Sequence, residues 1–182
     1  MIPSSENKEW LLSQLPYKVV TLTLLFRGST HGWSPDKFHQ LCDDKGPTIT
    51  IFKSKAGRVF GGFTQESWGS GGKFGKWKQD EKAFIYSIDR KQIYRVVKAQ
   101  YAIYCKSGYG PSFGSSALEV FGDPLNKEDG GYCNTKGGFN GDIYGIKSDG
   151  DGNHEVTGEG QKQKDNNKGF TCLEIEVYGV TF

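Results

Sequence analysis

Alternation of apolar and polar residues is clearest in residues 46–63, GPTITIFKSKAGRVFGGF. Two β-rich runs, residues 48–52 and 58–63, flank a short polar segment in this stretch. Ile49 and Ile51 fall on one face of the first run and its threonines fall on the other, as the period of two in a strand requires. The pattern predicts a β-hairpin, which we expect at the centre of a sheet with most later strands built around it.

Glycines mark two special places in this hairpin. Gly57 permits the positive φ that a hairpin loop of this length usually needs. Gly61 and Gly62 lie inside the second strand, where glycine weakens pairing unless the backbone bends or another group comes close. A β-bulge and a sheet bent for close packing both fit these two positions.

Elsewhere the pattern predicts short strands and few helices. Strands are expected at residues 19–26, 83–89, 92–97, 101–105, 118–121 and 170–180, and helices at 7–15 and 35–42. Ser34 and Pro35 begin the second helix as N-cap and first helical residue. Turns are expected at residues 28–32 and 108–114, a polar glycine-rich loop at 66–82, and long loops with weak strands over 122–169.

Composition narrows the class of protein. The chain has 182 residues, enough for one domain with a real core, and 26 of them are glycine. A net charge of +2 implies no strong general attraction to nucleic acid or to a membrane surface. The longest apolar run, residues 19–26, is too short for membrane insertion, and the first residues lack the pattern of a signal peptide.

The cysteines indicate a reducing compartment. Cys42, Cys105, Cys133 and Cys172 are widely spaced and form no CxxC pair. We therefore expect all four to be reduced and the protein to be cytoplasmic, with Cys105 and Cys172 buried on strands. Cys133 is the cysteine that falls in an exposed-looking segment.

Several blocks, in order, resemble the TLDc domain of the oxidation-resistance proteins and their relatives. The blocks are LLFRGSTHGWSPDKFHQLCDDKGPTITIFKS (24–54), RVFGGFTQESW (58–68), AFIYSID (83–89), AIYCKSGYGPSFG (102–114) and LEIEVYGV (173–180). The resemblance covers residues 19–182, so we expect a TLDc-like domain there and a short helical lead-in over residues 1–18.

This resemblance carries expectations about fold and function. It implies a mainly β fold, a sandwich of two antiparallel sheets with a few short helices, with no required cofactor and no agreed enzymatic reaction. It also implies a link to protection against oxidative stress and, from several members of the family, binding to the vacuolar-type proton ATPase. The prediction is a non-catalytic protein-interaction module with a protein partner and without a nucleic-acid partner.

Two enzymatic alternatives have candidate residues. Residues 110–114, GPSFG, fit the G-x-S-x-G pattern of a hydrolase with Ser112 as nucleophile, and Asp151 and His154 follow in hydrolase order. That chemistry needs a strand, a strained turn and a helix, whereas a strand is expected after Ser112, which favours a structural turn. A thiol-based scavenger would need an accessible cysteine of low pKa.

Acidic residues near the end of the glycine-rich region suggest a metal site. Asp149, Asp151, Asn153 and Glu155 place oxygen ligands at alternate positions, a spacing that suits Ca²⁺. An EF-hand loop would have glycine where His154 stands and glutamate where Gly160 stands, so a mobile acidic loop is the alternative. A calcium-binding regulatory domain is therefore a second hypothesis for the function.

The partner-binding surface is predicted in the loop of residues 66–82. This loop interleaves aromatic and basic side chains: Trp68, Lys73, Phe74, Lys76, Trp77 and Lys78. Aromatic anchors with a lysine rim suit an acidic protein surface, although a buried Trp68 within an otherwise solvated loop fits the same sequence. A structural role in a larger assembly is the remaining alternative.

Overall fold

The two sheets of the sandwich each contain six strands in a computed structural model of the chain. The structure describes residues 4–115, 117–128, 130–133, 142–146, 156–159 and 169–182. Every strand pair within the sheets is antiparallel. The predicted fold class, mainly β with two antiparallel sheets and a few short helices, is confirmed.

The elements follow one another along the chain without a long helix. The helices are α1 (Ser5–Ser13), α2 (Gly28–His31) and α3 (Pro35–Cys42), and a 3-10 turn covers Ala99–Tyr101. The strands are β1 (Thr21–Arg27), β2 (Thr48–Ser54), β3 (Val59–Thr64), β4 (Lys76–Lys78), β5 (Phe84–Ser87), β6 (Gln92–Arg95), β7 (Ile103–Cys105), β8 (Tyr109–Phe113), β9 (Leu118–Phe121), β10 (Gly131–Cys133), β11 (Gly169–Phe170) and β12 (Cys172–Thr181). The first sheet has the order β1-β12-β2-β3-β5-β6, and the second has the order β11-β10-β9-β8-β7-β4.

The predicted hairpin is the central pair of the first sheet. Strands β2 and β3 pair without interruption, and no bulge occurs at Gly61 or Gly62. A Cβ atom on Gly61 would lie 1.9 Å from the backbone oxygen of Thr50, and one on Gly62 would lie 2.5 Å from the ring of Phe113. Close packing, rather than a bulge, therefore explains both glycines.

The last apolar run divides between the two sheets. Sequence periodicity predicted one strand over residues 170–180, but β11 joins the second sheet and β12 joins the first. The register shifts between Cys172 and Glu174, and the shift leaves Leu173 half exposed. A periodic pattern cannot show where the chain passes from one sheet to the other, because the strands of both sheets place alternate side chains in the same core.

Aromatic rings fill the space between the sheets. Phe52 and Phe60 of the first sheet lie 5.9 Å apart, and both contact Phe170 of the second sheet. Phe113 contacts Trp68 at a ring distance of 5.5 Å. These side chains belong to one buried cluster that joins both sheets and the helix α3.

The opposite face of the first sheet is covered by the lead-in helix. Leu11 of α1 is fully buried against a second cluster that includes Ile49, Ile51 and Phe63. The threonines Thr48 and Thr50 are buried as well, because the central strands have no face in contact with water.

Three predicted loops contain regular structure. The turn predicted at residues 28–32 is largely the short helix α2, and the loop predicted at 66–82 includes the edge strand β4. The turn predicted at residues 108–114 is mostly the strand β8, in which Pro111 is buried. The sequence prediction failed here because glycine and proline usually interrupt strands, whereas tertiary packing overrides that preference in this sheet.

Helix α3 begins and ends where the sequence predicted. Ser34 accepts a hydrogen bond from the backbone nitrogen of Lys37 at 3.1 Å, and Pro35 is the first helical residue. Phe38 and Cys42 are fully buried on the core-facing side of the helix. The helix thus lies beside the second sheet, close to the loop predicted to bind a partner.

Candidate interaction surface

The segment around Phe74 is held tightly on strand β7. The backbone nitrogen of Ser107 donates to the carbonyl of Gly72 at 3.1 Å, and the hydroxyl of Tyr104 donates to the carbonyl of Phe74 at 3.0 Å. Gly75 has a φ of 75°, and a Cβ atom there would lie 2.2 Å from the Tyr104 hydroxyl, so only glycine fits. The loop therefore presents the Phe74 side chain, which is 95% exposed, from a fixed backbone.

Strand β4 places Trp77 on one face and two lysines, Lys76 and Lys78, on the other. Trp77 pairs directly with Tyr104, and their rings lie 4.8 Å apart. Lys76 and Lys78 pair with the buried residues Cys105 and Ile103, so they extend from the other face of the strand.

Three of the six predicted partner-binding residues have internal side-chain contacts, Trp77 being the one already described. Trp68 is only 1% exposed and donates from its indole nitrogen to the Thr48 hydroxyl at 2.9 Å. It is a core residue, because the chain at Trp68 lies between α3 and the second sheet and reaches the surface only in the residues that follow. Lys78 donates from Nζ to the backbone carbonyl of Ser67 and is half buried. Lys73, Phe74 and Lys76 are exposed, and Trp77 is half buried.

A continuous band of aromatic rings extends from Trp77 across the outer face of the second sheet. The rings in this aromatic band are Tyr101, Trp77, Tyr104, Tyr109 and Phe121, and all are half buried. Successive ring centroids lie 5.2, 4.8, 6.0 and 5.6 Å apart. The band crosses four adjacent strands, β4, β7, β8 and β9.

Lysine ammonium groups lie against this band. The Nζ atom of Lys106 is 5.0 Å from the centroid of the Tyr109 ring, and that of Lys127 is 4.8 Å from the centroid of the Phe121 ring. Both contacts are within the range of cation–π attraction. Burial, with a smaller effect of the Glu119 charge, raises the pKa of Tyr109, so its hydroxyl stays protonated at neutral pH.

Sequence reasoning missed Tyr104, Tyr109 and Phe121. Alternation within residues 101–105 did hold the signal for Tyr104, because it lies between two apolar residues that point into the core. Tyr109 and Phe121 could not be joined to it, since their pairing depends on β8, a strand predicted as a turn.

Ser112 is part of a strand and is fully buried. Its hydroxyl donates to Oε2 of Glu119 at 2.7 Å, across the pair formed by β8 and β9. A hydrolase nucleophile lies on an exposed turn between a strand and a helix, whereas here a second strand follows. Asp151 and His154 lie outside the described residues. This geometry favours a structural role for Ser112.

All four cysteines are buried, and Cys42, Cys105 and Cys172 are free thiols. The expectation of an exposed Cys133 is wrong, because strand β10 holds that side chain in the core. Burial raises the pKa of the thiols of Cys42, Cys105 and Cys172. Thiol-based scavenging needs an accessible thiolate, and these positions favour the protonated, enclosed form.

Two glutamates of β12 bind groups of the protein itself. Glu176 is 2% exposed, lies 2.5 Å from Nη2 of Arg27 and accepts a hydrogen bond from the Tyr178 hydroxyl at 3.0 Å. Glu174 accepts from the backbone nitrogen of Ser29 at 3.1 Å. Arg27 is thus the basic partner of Glu176.

His39 connects α3 to the turn between β7 and β8. Its Nδ1 atom lies 2.9 Å from Oδ1 of Asp43, and its Nε2 atom lies 3.1 Å from the carbonyl of Lys106. The side chain is only 10% exposed, so His39 is not a solvated residue of the helix surface.

The predicted calcium ligands Asp149, Asp151, Asn153 and Glu155 lie outside the described residues. Calcium binding there stays a prediction, which calorimetry with Ca²⁺ and an Asp151→Ala variant would test. Among the described residues, no group of three or more His, Cys, Asp or Glu side chains could hold a metal ion. Within the same ranges, every helix is too short or too polar to cross a membrane.

Comparison with known proteins identifies relatives of this sandwich. The family model of the TLDc domain matches residues 1–181. The MTOR-associated protein MEAK7 of Xenopus laevis is 40% identical over 78 residues, which are 41% of this chain and 16% of that protein. The proteins of the same name from Danio rerio and Gallus gallus are 32% and 37% identical over 36% of this chain. The matched part is thus a small fraction of each relative's length.

Proposed function

The chain belongs to the TLDc domain family, and from this we propose that it is a non-catalytic module that binds a partner protein through the aromatic band. The observation that carries the proposal is the run of half-exposed rings from Trp77 to Phe121. Aromatic side chains are the usual anchors of protein interfaces, and rings stacked on a sheet lose little conformational entropy when they bind.

Charge around the band defines the chemistry of the partner. Lys106 and Lys127 contact the band, while Lys73 lies exposed in the loop before β4. Such a rim speeds docking onto an acidic surface more than it adds affinity. We therefore propose that the partner presents an acidic surface with an apolar centre.

The proposed identity of the partner comes from the relatives and the family of this chain. The relatives named above are described as mTOR-associated, and the resemblance to the TLDc family implies binding to the vacuolar-type proton ATPase. We propose the vacuolar-type ATPase as the partner, in the cytoplasm, with a role in protection against oxidative stress. The free, buried thiols of Cys42, Cys105 and Cys172 suit a reducing compartment and support this location.

Binding of the purified ATPase to the immobilised domain tests the proposal. Trp77→Ala and Tyr109→Ala should each weaken binding by roughly 2 kcal/mol, or about thirtyfold, as the loss of an interface anchor does. Tyr17→Ala is the matched control, because Tyr17 is an aromatic residue that is 57% exposed but lies outside the band. Its affinity should equal that of the wild type.

Two results would separate the parts of the proposal. Absence of binding by the wild-type domain at micromolar concentration would exclude the ATPase as partner, and a structural role in a larger assembly would gain support. Equal affinities for the wild type and both band variants, each shown to be folded by circular dichroism, would exclude the aromatic band as the surface.

A further inference from the structure

The four edges of the two sheets differ in how well they are protected against pairing. Edge strand β11 has only two residues, and β4 has three with a lysine at each end. Strand β6 has four residues and ends in Arg95. Short length and charge are the usual means by which proteins block edge-to-edge association.

Strand β1 lacks this protection over most of its length. It has seven residues, and its exposed positions include Thr21, Thr23 and Leu24, the last 38% exposed. Val20, directly before the strand, is 69% exposed. No charged residue lies between Lys18 and Arg27, so the open edge is neutral and partly apolar.

The backbone of this edge offers hydrogen-bonding groups. Strand β1 pairs with β12 on one side and ends the first sheet on the other, so alternate N–H and C=O groups point away from β12. Regular pairing runs from Thr21 to Leu24, and the register shifts before Phe26. The open ladder therefore covers the first part of the strand.

The side chains of this ladder are complementary to themselves. In an antiparallel pair of two β1 strands with the two-fold axis at Thr23, Leu22 of one copy lies opposite Leu24 of the other. Thr23 then lies opposite Thr23. Leucine pairs and threonine pairs are favourable across antiparallel strands, and no like charges face each other in this register.

We propose that two copies of this chain associate through β1 to form one continuous antiparallel sheet across a two-fold axis. Such an interface is isologous, since the same strand contributes from both copies. The first sheets of the two copies, each of six strands, become a single sheet in the dimer. The proposal does not depend on the aromatic band, which belongs to the other sheet.

Sedimentation velocity from micromolar to millimolar concentration tests the association. The wild type should show a reversible, concentration-dependent rise to twice the monomer mass. Leu24→Lys places a cation on the open ladder opposite Leu22 of the other copy and should weaken self-association at least about tenfold. Gln92→Lys, an exposed change on the edge strand β6, is the matched control and should associate as the wild type does.

Cross-linking gives a second readout that identifies the register. Under mild oxidation, Thr23→Cys should form a disulfide-linked dimer that reductant reverses, because directly opposed residues have Cβ atoms close enough to adjust to a disulfide. Gln92→Cys should cross-link far less under the same conditions. A monomeric mass at every concentration, or equal cross-linking by both cysteine variants, would overturn the proposal. It would do so even if β1 pairs instead with an extended segment of an unrelated protein.

Discussion

The central hairpin of the first sheet and the outer face of the second sheet are both rich in aromatic residues, but water reaches only one of them. All six residues of β3 are buried, including Phe60 and Phe63. On the second sheet, Tyr104 and Tyr109 are half buried and meet each other edge to face. The difference lies in what covers each face, since α1 closes the first sheet whereas the rings of the band keep part of their surface exposed.

This comparison shows why aromatic content alone does not identify a binding surface. Rings of the central hairpin exclude water and hold the two sheets together. Rings of the aromatic band contact one another at similar distances, yet they keep an accessible face. We therefore expect changes in the hairpin to affect the free energy of unfolding, and changes in the band to affect binding.

The largest effect should come from Gly61 in the central hairpin. In Gly61→Ala the new Cβ atom would meet the backbone oxygen of Thr50 at 1.9 Å and the hydroxyl of Tyr86 at 2.7 Å. Because backbone on the neighbouring strand cannot give way, we expect the free energy of unfolding to fall by at least about 4 kcal/mol. Urea denaturation followed by circular dichroism measures this loss.

Gly69→Ala is the matched control for that substitution. Gly69 begins the loop of the second sheet, where the nearest group to a new Cβ atom is Nζ of Lys78 at 3.8 Å. The stability of this variant should stay within about 0.5 kcal/mol of the wild type. Similar losses in both variants would show that the hairpin is no more tightly packed than the loop.

Two phenylalanines compare the inner and outer faces of the second sheet directly. Phe113 is fully buried and contacts Trp68 and Tyr144, so Phe113→Ala should lower the free energy of unfolding by about 3–5 kcal/mol. Phe121 is half buried on the outer face, and Phe121→Ala should lower it by about 1 kcal/mol. Equal losses, measured by urea denaturation, would mean that the band is covered in solution.

Alkaline pH should act on the enclosed part of the molecule. Burial raises the pKa of the Cys42, Cys105 and Cys172 thiols, so the folded chain keeps protons that the unfolded chain loses above about pH 8.5. The free energy of unfolding should therefore fall as pH rises above that value, by up to about 1.4 kcal/mol per pH unit for each thiol. Tyr86 and Tyr144 should add to the loss above about pH 10.

Urea denaturation between pH 7.5 and 9.5, with reductant present, measures the slope for the thiols. Cys42→Ala should make the slope shallower by about one thiol's share, even though the variant is less stable at neutral pH. A stability that does not change over this range would show that the pKa values of the thiols are the same in the folded and the unfolded chain.

Much of the fold follows from short-range patterns. Helix α3 was predicted from its Ser34 cap to its last residue, and β9 was predicted at its observed bounds. The central hairpin and its two glycines were also visible, because a period of two between turn residues is a local signal. The family resemblance then supplied the arrangement of the strands in two antiparallel sheets, which local patterns do not contain.

The candidate site could be predicted only in part, because it depends on contacts between distant segments. Phe74 and Trp77 were found from their own loop, but their partner Tyr104 comes from β7 and Phe121 from β9. Trp68 was misplaced on the surface, since its neighbours in sequence are polar while its neighbours in space are core rings. Which face of a strand is covered is decided by the tertiary structure.

The smallest change in stability is expected for Phe74, which lies on the solvent-accessible surface near the aromatic band. Phe74 is 95% exposed, and the structure records contacts of its backbone carbonyl rather than a ring partner among the described residues. Phe74→Ser should therefore leave the free energy of unfolding within about 0.5 kcal/mol of the wild type. The same variant should bind an acidic partner more weakly, because the exposed ring is presented near the band by a backbone that the contacts of Gly72 and Phe74 hold in place. Urea denaturation and partner binding, measured on one preparation, separate the two effects. A clear loss of stability would show that the ring packs on the protein, and unchanged binding would limit the interaction surface to the strands of the second sheet.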